Sequence, residues 1–430
     1  MMPDRLGAQT VMTFGLKIWT ATASFGVTWL IARQFGASGS GQFGIAVSTL
    51  TILAFIVLAG VDTTVVRIAA GDLREGNLAA ARGVIAGGSR LVLIVAPLIV
   101  GLLWLLRERF AVDVLRQPGL APMLGIMLWV TVPLALQRIA SGALRVSGRI
   151  FASQLFDGPV ATTLNVVVMA GLALSGHATL LRSATVYLAG ISISCVLTWL
   201  VLRRLLAGWP TAIPHAVLPL VVAGLPILAS NLSNMFTEWF TTVSLGAYWP
   251  AAIVGQYRAA WQFVAIAGLV QTAMDTILGP RIAAAARVGA TDEIAAVARR
   301  ALFLALALAT PLFVVLIAFP SQLLSVFGPE FRQGALALQI LAAGQLVRLA
   351  SGPLGSILVM TGNQRWVLAY AGVGVALCVG LTTLLVPMYG AVGAAMATTA
   401  TVVLRNLAAG FIVHRVLGIN LFSTGTHPVD

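Results

Sequence analysis

The sequence predicts an all-α integral membrane protein, with about twelve transmembrane helices in two six-helix lobes related by a parallel internal repeat. Three observations predict it. Hydrophobic residues make up 59% of the 430 positions and charged residues 9%, with mean hydropathy +0.98. A soluble chain carries roughly a quarter charged residues, so this one has too few to cover a water-facing surface. Apolar runs of spanning length then recur along the chain, and about 20 residues suffice to cross a bilayer. Their continuity, in place of an alternating pattern, argues for helices over a barrel. Finally, short stretches of the first half return in the second, 210–214 positions later.

Twelve runs are read at 11–34, 43–61, 83–106, 119–141, 153–175, 181–202, 216–245, 252–279, 296–319, 334–360, 366–388 and 391–414. Gaps between them reach about twenty residues, which leaves no room for a separate soluble domain. The first run holds an A-x-A at 21–23 after Arg5, a pattern that invites a cleavage reading. Lys17 interrupts its apolar part, and the run continues well past residue 23, so an uncleaved first helix is expected.

The net charge of +13 suggests nucleic acid until its placement is mapped. With the N-terminus inside, eighteen of the 26 Lys and Arg fall on inner segments and six on outer ones, with Arg258 and Arg348 left within spans. This is the positive-inside bias of a membrane protein with both ends cytoplasmic. Nucleic acid is not expected as a partner, while contact of these residues with anionic lipid headgroups is. Cys195 and Cys378 both lie mid-span in small-residue sequence, which suits packing and gives no disulfide framework.

The repeat is carried by several pairs in order. QRIASGAL at 137–144 returns as VRLASGPL at 347–354, VDTTVVRIAAG at 61–71 as MDTILGPRIAAA at 274–285, and Gly41-Gln42-Phe43 as Gly255-Gln256-Tyr257. Such ordered self-similarity is the mark of duplication. It divides the chain into lobes at 1–210 and 211–430. Six spans per lobe is an even number, so both lobes enter the membrane from the same side and the repeat is parallel. Two such bundles with a cavity between them suit an alternating-access transporter. Residues shared by both halves are expected to build a lobe, and one-sided residues to carry function.

Ionisable groups at membrane depth are functional candidates by default. Asp62 with Arg67, and Asp275 with Arg281, occur in both halves and read as helix capping or a local ion pair. Asp157 reads as a carboxylate at the start of the fifth span. Arg138 and Arg348 belong to the repeated motif. Arg138 lies near the cytoplasmic end of its span, where snorkelling is cheap, whereas Arg348, nearer mid-span, needs water, an anion or a carboxylate. Glu238 and Arg258 are one-sided: their counterparts are Thr28 and Gly44. At about 1.5 Å per residue they fall at similar depth on adjacent helices. They read either as a structural salt bridge or as a switch in which Glu238 takes H⁺ or Na⁺ and releases Arg258 to an anion. Asn231 and Asn234 share the helix of Glu238 and offer further oxygen ligands. Lys17, the only lysine, reads as a snorkelling residue or a cavity cation. The four histidines are scattered, there is no Cys/His metal spacing, and no G-x-x-x-x-G-K-[ST] occurs. No cofactor, metal or catalytic constellation is therefore expected, and an enzyme is not.

Four stretches carry a family resemblance: RQFGASGSGQFGIAVSTL (33–50), GVDTTVVRIAAG (60–71), GQYRAAWQF (255–263), and FGPEFRQGALALQILAAGQLVRLASGPLGSILVMTGNQR (327–365). Through them the chain resembles the multidrug/oligosaccharidyl-lipid/polysaccharide exporter superfamily, in its O-antigen-type polysaccharide flippase branch. The resemblance covers essentially the whole chain. It implies a protein of the bacterial inner membrane that flips an undecaprenyl-pyrophosphate-linked oligosaccharide from the cytoplasmic to the periplasmic leaflet, coupled to a cation or to the membrane potential. Guanidinium groups match pyrophosphate geometry, which makes Arg258, Arg348, Arg138 and Lys17 the candidate substrate contacts. Glu238, with Asn234 and Asn231, is the candidate coupling site. Related members place an acid in the seventh helix, and lipid II flippases carry several first-helix cations where this chain has only Lys17. Two other functions compete. A drug/cation antiporter would want acids in its cavity, whereas the deep charges here are as much Arg as Asp and Glu. A membrane glycosyltransferase or polymerase would want a large outer loop with catalytic groups, whereas the longest, about 107–118, holds Glu108 and Asp113.

Overall fold

The computed structural model describes residues 3–287 and 290–418; the side chains of 3–11 and of scattered positions mainly within 217–292, among them Asn231, Asn234, Asp275 and Arg281, lie outside that description. Fifteen α-helices follow one another in the described residues: α1 (Pro3–Leu58), α2 (Val61–Arg74), α3 (Leu78–Arg109), α4 (Ala121–Met127), α5 (Thr131–Val146), α6 (Ile150–Asp157), α7 (Pro159–Leu174), α8 (Leu180–Ala207), α9 (Val217–Tyr248), α10 (Ala251–Arg287), α11 (Thr291–Ala318), α12 (Pro320–Ser325), α13 (Ala335–Ala350), α14 (Leu354–Met360) and α15 (Gln364–Leu417). Among the described residues, eight stretches are long and apolar enough to cross a membrane. Two of them, Met12–Leu58 and Arg365–Leu417, are helix pairs joined at Gly36 (φ 64, ψ −169) and Gly390 (φ 56, ψ −129). Adding α9 and α10, of 32 and 37 residues, gives twelve membrane-length segments. Each coincides with one of the runs read from the sequence, and the protein is an all-α, multi-pass membrane protein.

The chain packs as two units, Met1–Gly255 and Gln256–Asp430. In the first unit, α2, α3, α5 and α8 surround a core that includes Val61, Val65, Ile85, Val92, Ile139 and Leu202. The connection from α8 to α9 is strapped to the start of α3. Arg82 donates from Nη1 to the carbonyls of Trp209 and Pro210, both at 2.9 Å, and the Ile213 N–H donates to the Ala79 carbonyl at 3.1 Å. Such charge-assisted bonds contribute about 1.5–3 kcal/mol each. In the second unit, Ile282, Ile294, Ala298, Ile357, Leu358 and Val413 form the core. The division at 210/211 into six-helix lobes rests on the internal repeat and is kept as a proposal.

One crossing in the first unit carries the signature of that repeat. A Cβ on Gly41 would run into the Ala251 carbonyl, and a Cβ on Gly255 into the Ala37 carbonyl. Ala37 and Gly41 are the counterparts of Ala251 and Gly255 at offset 214. The contact is therefore reciprocal, as a local two-fold axis requires. It is also a small-xxx-small seam that lets two membrane helices touch backbone to backbone.

Two local expectations need correction. The cap position of α2 is Gly60, which has no side chain; Asp62 sits in the first turn, where the helix end favours a carboxylate. Among the described residues no ion pair joins Asp62 to Arg67, and Arg67 is exposed. Asp157 does not open the fifth span; it ends α6, and the span breaks at Gly158 (φ −155, ψ −58) before Pro159 restarts it. Pro159 cannot donate to the preceding turn. The exposed Phe156 carbonyl is satisfied from α8 and α5, by Ser194 Oγ at 2.7 Å and by Gln137 Nε2. A Cβ on Gly158 would meet the Thr20 side chain at 2.7 Å, so the break also lets α1 approach closely.

Candidate functional site

The second unit gathers the polar groups best placed to meet an anion. Arg348 lies in the last turn of α13, because Gly352 (φ 76) and Pro353 stop the helix there. Gly352 takes a left-handed conformation at low cost, and Pro353 cannot continue the helix. A cation in a last turn is favoured by the helix dipole. Arg348 is half-buried and donates from Nη1 to Gln345 Oε1 at 3.3 Å. Both line a small cleft with Gln271 and Phe313. Arg348 lies twelve residues before the end of its apolar stretch, Pro329–Met360. Arg405, on α15, stands within electrostatic reach of Arg348 and of Tyr370, and its stem packs where a Cβ on Gly374 would sit, 3.0 Å from Cδ. Two guanidinium groups and a phenol thus share one region of α13 and α15.

The other arginine of the repeated motif behaves differently. Arg138 lies in the middle of α5, its guanidinium 4.5 Å over the Phe55 ring. Around it Ser141 and Gly142 form a packing seam: the Ser141 carbonyl accepts from Ser153 Oγ at 2.8 Å, and a Cβ on Gly142 would meet Val66 Cγ2 at 2.6 Å. Lys17 is half-buried on α1. Glu238 is half-buried on α9, with its own carbonyl accepting from Thr242 Oγ1 at 2.8 Å. Since α9 runs to Tyr248, Glu238 is ten residues from its helix end, while half-buried Arg258 is seven from the start of α10. The side chains of Asn231 and Asn234 lie outside the described residues.

Two of the four stretches that carried the family resemblance pack together in the second unit. Gln256 Nε2 donates to the Glu330 carbonyl at 3.0 Å and to Gln333 Oε1 at 3.1 Å. Tyr257 is fully buried, its hydroxyl 3.1 Å from Thr398 Oγ1. Phe263 meets Phe327 edge to face with centroids 5.6 Å apart. GQYRAAWQF and FGPEFRQGA are thus two sides of one packed junction.

Arg405 is one of the eighteen inner-segment cations that set the charge bias of the sequence. The signal for it was available: its counterparts at offsets 210 and 214 are Cys195 and Ile191, so it is one-sided like Glu238 and Arg258.

Comparison with known proteins agrees with this architecture. Residues 6–285 match the profile of a family described as "Polysaccharide biosynthesis protein", and residues 226–384 match MatE. Among characterised relatives, the chain is similar to "Probable flippase AglR" of Haloferax volcanii, 26% identical over 186 residues, covering 42% of this chain and 38% of that protein. The matched stretch therefore spans well under half of that relative's length. Among solved structures, an inward-facing multidrug resistance MATE family transporter of the MOP superfamily superposes with a TM-score of 0.79 at 12% identity, covering 95% of this chain and 98% of that one. The lipid II flippase MurJ in an inward closed conformation superposes with a TM-score of 0.74 at 15% identity, covering 94% and 87%. At these identities the structural likeness speaks for the fold alone.

Proposed function

The chain belongs to the polysaccharide biosynthesis protein family and is a membrane transporter with the MOP superfamily fold, and from that premise we propose that it flips a lipid-linked oligosaccharide across the cytoplasmic membrane. The substrate carries an undecaprenyl-pyrophosphate or similar polyprenyl-pyrophosphate anchor. It moves from the cytoplasmic to the outer leaflet by alternating access of the lobes at 1–210 and 211–430, with both termini cytoplasmic. The observation that carries this reading is the packing of α13 on α15, with Thr399 Oγ1 donating to the Ile340 carbonyl at 3.0 Å, which brings Arg348 within electrostatic reach of Arg405 in the second unit. Two guanidiniums at membrane depth are expensive, and together they match the charge and geometry of a pyrophosphate. Arg258 and Lys17 are further cations for the substrate's path. Arg138, stacked on Phe55, has its guanidinium engaged in packing. Glu238, with Asn234 and Asn231 on the same helix, is the proposed site for H⁺ or Na⁺ coupling. The flippase description of the Haloferax volcanii relative supports the reading.

A drug/cation antiporter is a second reading, favoured by the MatE match over residues 226–384, which include Glu238. One experiment separates them. In a strain lacking this protein, wild type and the Arg348→Ala, Arg405→Ala and Glu238→Gln variants are compared for surface polysaccharide, membrane expression and drug sensitivity. Expected are loss of polymer with normal expression, and lipid-linked sugar accumulating on the cytoplasmic face. Unchanged polymer in the deletion strain with altered drug sensitivity would establish the antiporter instead.

A further inference from the structure

The first unit holds a cavity of about 620 Å³. Its size falls within the range of about 300–1,000 Å³ typical of small-molecule sites. It lies wholly within that unit, among the Gly36–Leu58 half of α1, the end of α3, α4 and α9. The walls are apolar, with Ile56, Leu106, Phe110, Leu128 and Phe236 among them. Trp239 is fixed at the wall by its Nε1 donating to Thr49 Oγ1 at 3.3 Å. Three charged residues also line it, Arg107 and Arg109 from the end of α3 and the exposed Asp113 from the turn that follows.

That end is built, not incidental. Arg107 lies 3.8 Å over the Trp104 ring and donates from Nη1 to the Trp104 carbonyl at 2.7 Å. Its Nη2 is 3.5 Å from Glu108 Oε1. Its stem packs on Gly125 of α4, where a Cβ would come within 3.3 Å of Cδ. Beyond Arg109 the helix widens into a π-helical turn, Phe110–Val114, which carries Phe110, Asp113 and Val114 to the cavity. Such turns are uncommon and gather at functional sites. On the same stretch of α3 the apolar side chains are exposed, Leu105 by 70% and Leu102 by 60%, as befits contact with hydrocarbon.

We propose that this cavity holds one hydrocarbon chain of a bilayer phospholipid whose head carries both a phosphate and a primary amine, with the phosphate at Arg107 and Arg109 and the ammonium at Asp113. Charge complementarity selects this occupant. An apolar chamber suits an acyl chain, two guanidiniums suit a phosphate diester, and the adjacent carboxylate suits an ammonium group and opposes a purely anionic head. The site stands whether the protein is a flippase or an antiporter. It makes the first unit's α3–α4 end a lipid-dependent element.

Native mass spectrometry of the purified, detergent-solubilised protein tests this, with phosphatidylethanolamine, phosphatidylglycerol and undecaprenyl phosphate added in turn. The wild type is expected to retain one phosphatidylethanolamine in preference to the other two. Arg109→Gln is expected to weaken retention about tenfold, the loss of roughly one charge-assisted contact. Asp113→Asn is expected to erase the preference over phosphatidylglycerol, and Ile56→Trp, which narrows the chamber, to weaken retention. Melting temperatures close to wild type show that the variants are folded. Retention unchanged in Ile56→Trp, no preference between the two phospholipids in the wild type, or tighter retention of undecaprenyl phosphate would each overturn the proposal.

Discussion

RIASGAL at 138–144 and RLASGPL at 348–354 differ at two positions, yet they build different structures. The first lies inside the unbroken helix α5, where Gly142 is a notch for Val66. The second spans a break, where α13 ends at Ala350, Gly352 turns left-handed and α14 begins at Leu354. The deciding position is Ala143 against Pro353. A proline inside a helix removes one backbone bond and clashes with the preceding turn. It also drives the residue before it out of the α region, and only glycine accepts the left-handed alternative cheaply. The consequence reaches the arginine. Arg138, held mid-helix, packs on Phe55; Arg348, held at a helix end, bonds Gln345 and lies within electrostatic reach of Arg405. Duplication supplied two copies of one motif, and a single proline turned one of them from a seam into a corner with a charge on it.

Making the copies alike is the most damaging way to break this contrast. Ala143→Pro places a proline in the core of the first unit, where Ala143 is fully buried. It should cost about 3 kcal/mol or more, read as a large fall in melting temperature or as loss of expression. The two glycines should then fail for different reasons. Gly142→Ala overpacks against Val66 and should cost about 1–3 kcal/mol. Pairing it with Val66→Ala should restore much of that, a coupling visible in a double-mutant cycle. Gly352→Ala should cost about 1–2 kcal/mol through left-handed strain, and trimming a neighbouring side chain should not restore it. The smallest stability change comes from the arginines. Arg138→Lys weakens a cation–π contact of about 0.5–1 kcal/mol and should leave transport near wild type. Arg348→Lys should leave the melting temperature unchanged and still lower transport, because an ammonium cannot replace the planar fork.

The spans were legible because bilayer thickness leaves a signal that no local detail hides: all twelve runs became membrane-length helix segments. The repeat was legible too, and its best physical trace is the reciprocal Gly41–Gly255 crossing. What the sequence hid were the places where tertiary contacts override pattern. The fifth span reads as one apolar run, yet it breaks at Gly158 because Ser194 and Gln137 satisfy the freed Phe156 carbonyl. The Asp62–Arg67 spacing suits an ion pair, yet the cap position falls to Gly60. Arg405 was masked by its usefulness as a topology charge. The cavity was not readable at all, since its walls come from four separated stretches and its residues look like any lipid-facing set.

The account's central claim is that the arginine at the corner, Arg348, meets a lipid-linked pyrophosphate during flipping. The most direct measurement is translocation in proteoliposomes of a fluorescent polyprenyl-pyrophosphate oligosaccharide, followed by quencher access from outside. Wild type and Arg138→Lys should flip it, while Arg348→Ala, equally folded and reconstituted, should not. Equal flipping by wild type and Arg348→Ala would contradict the account.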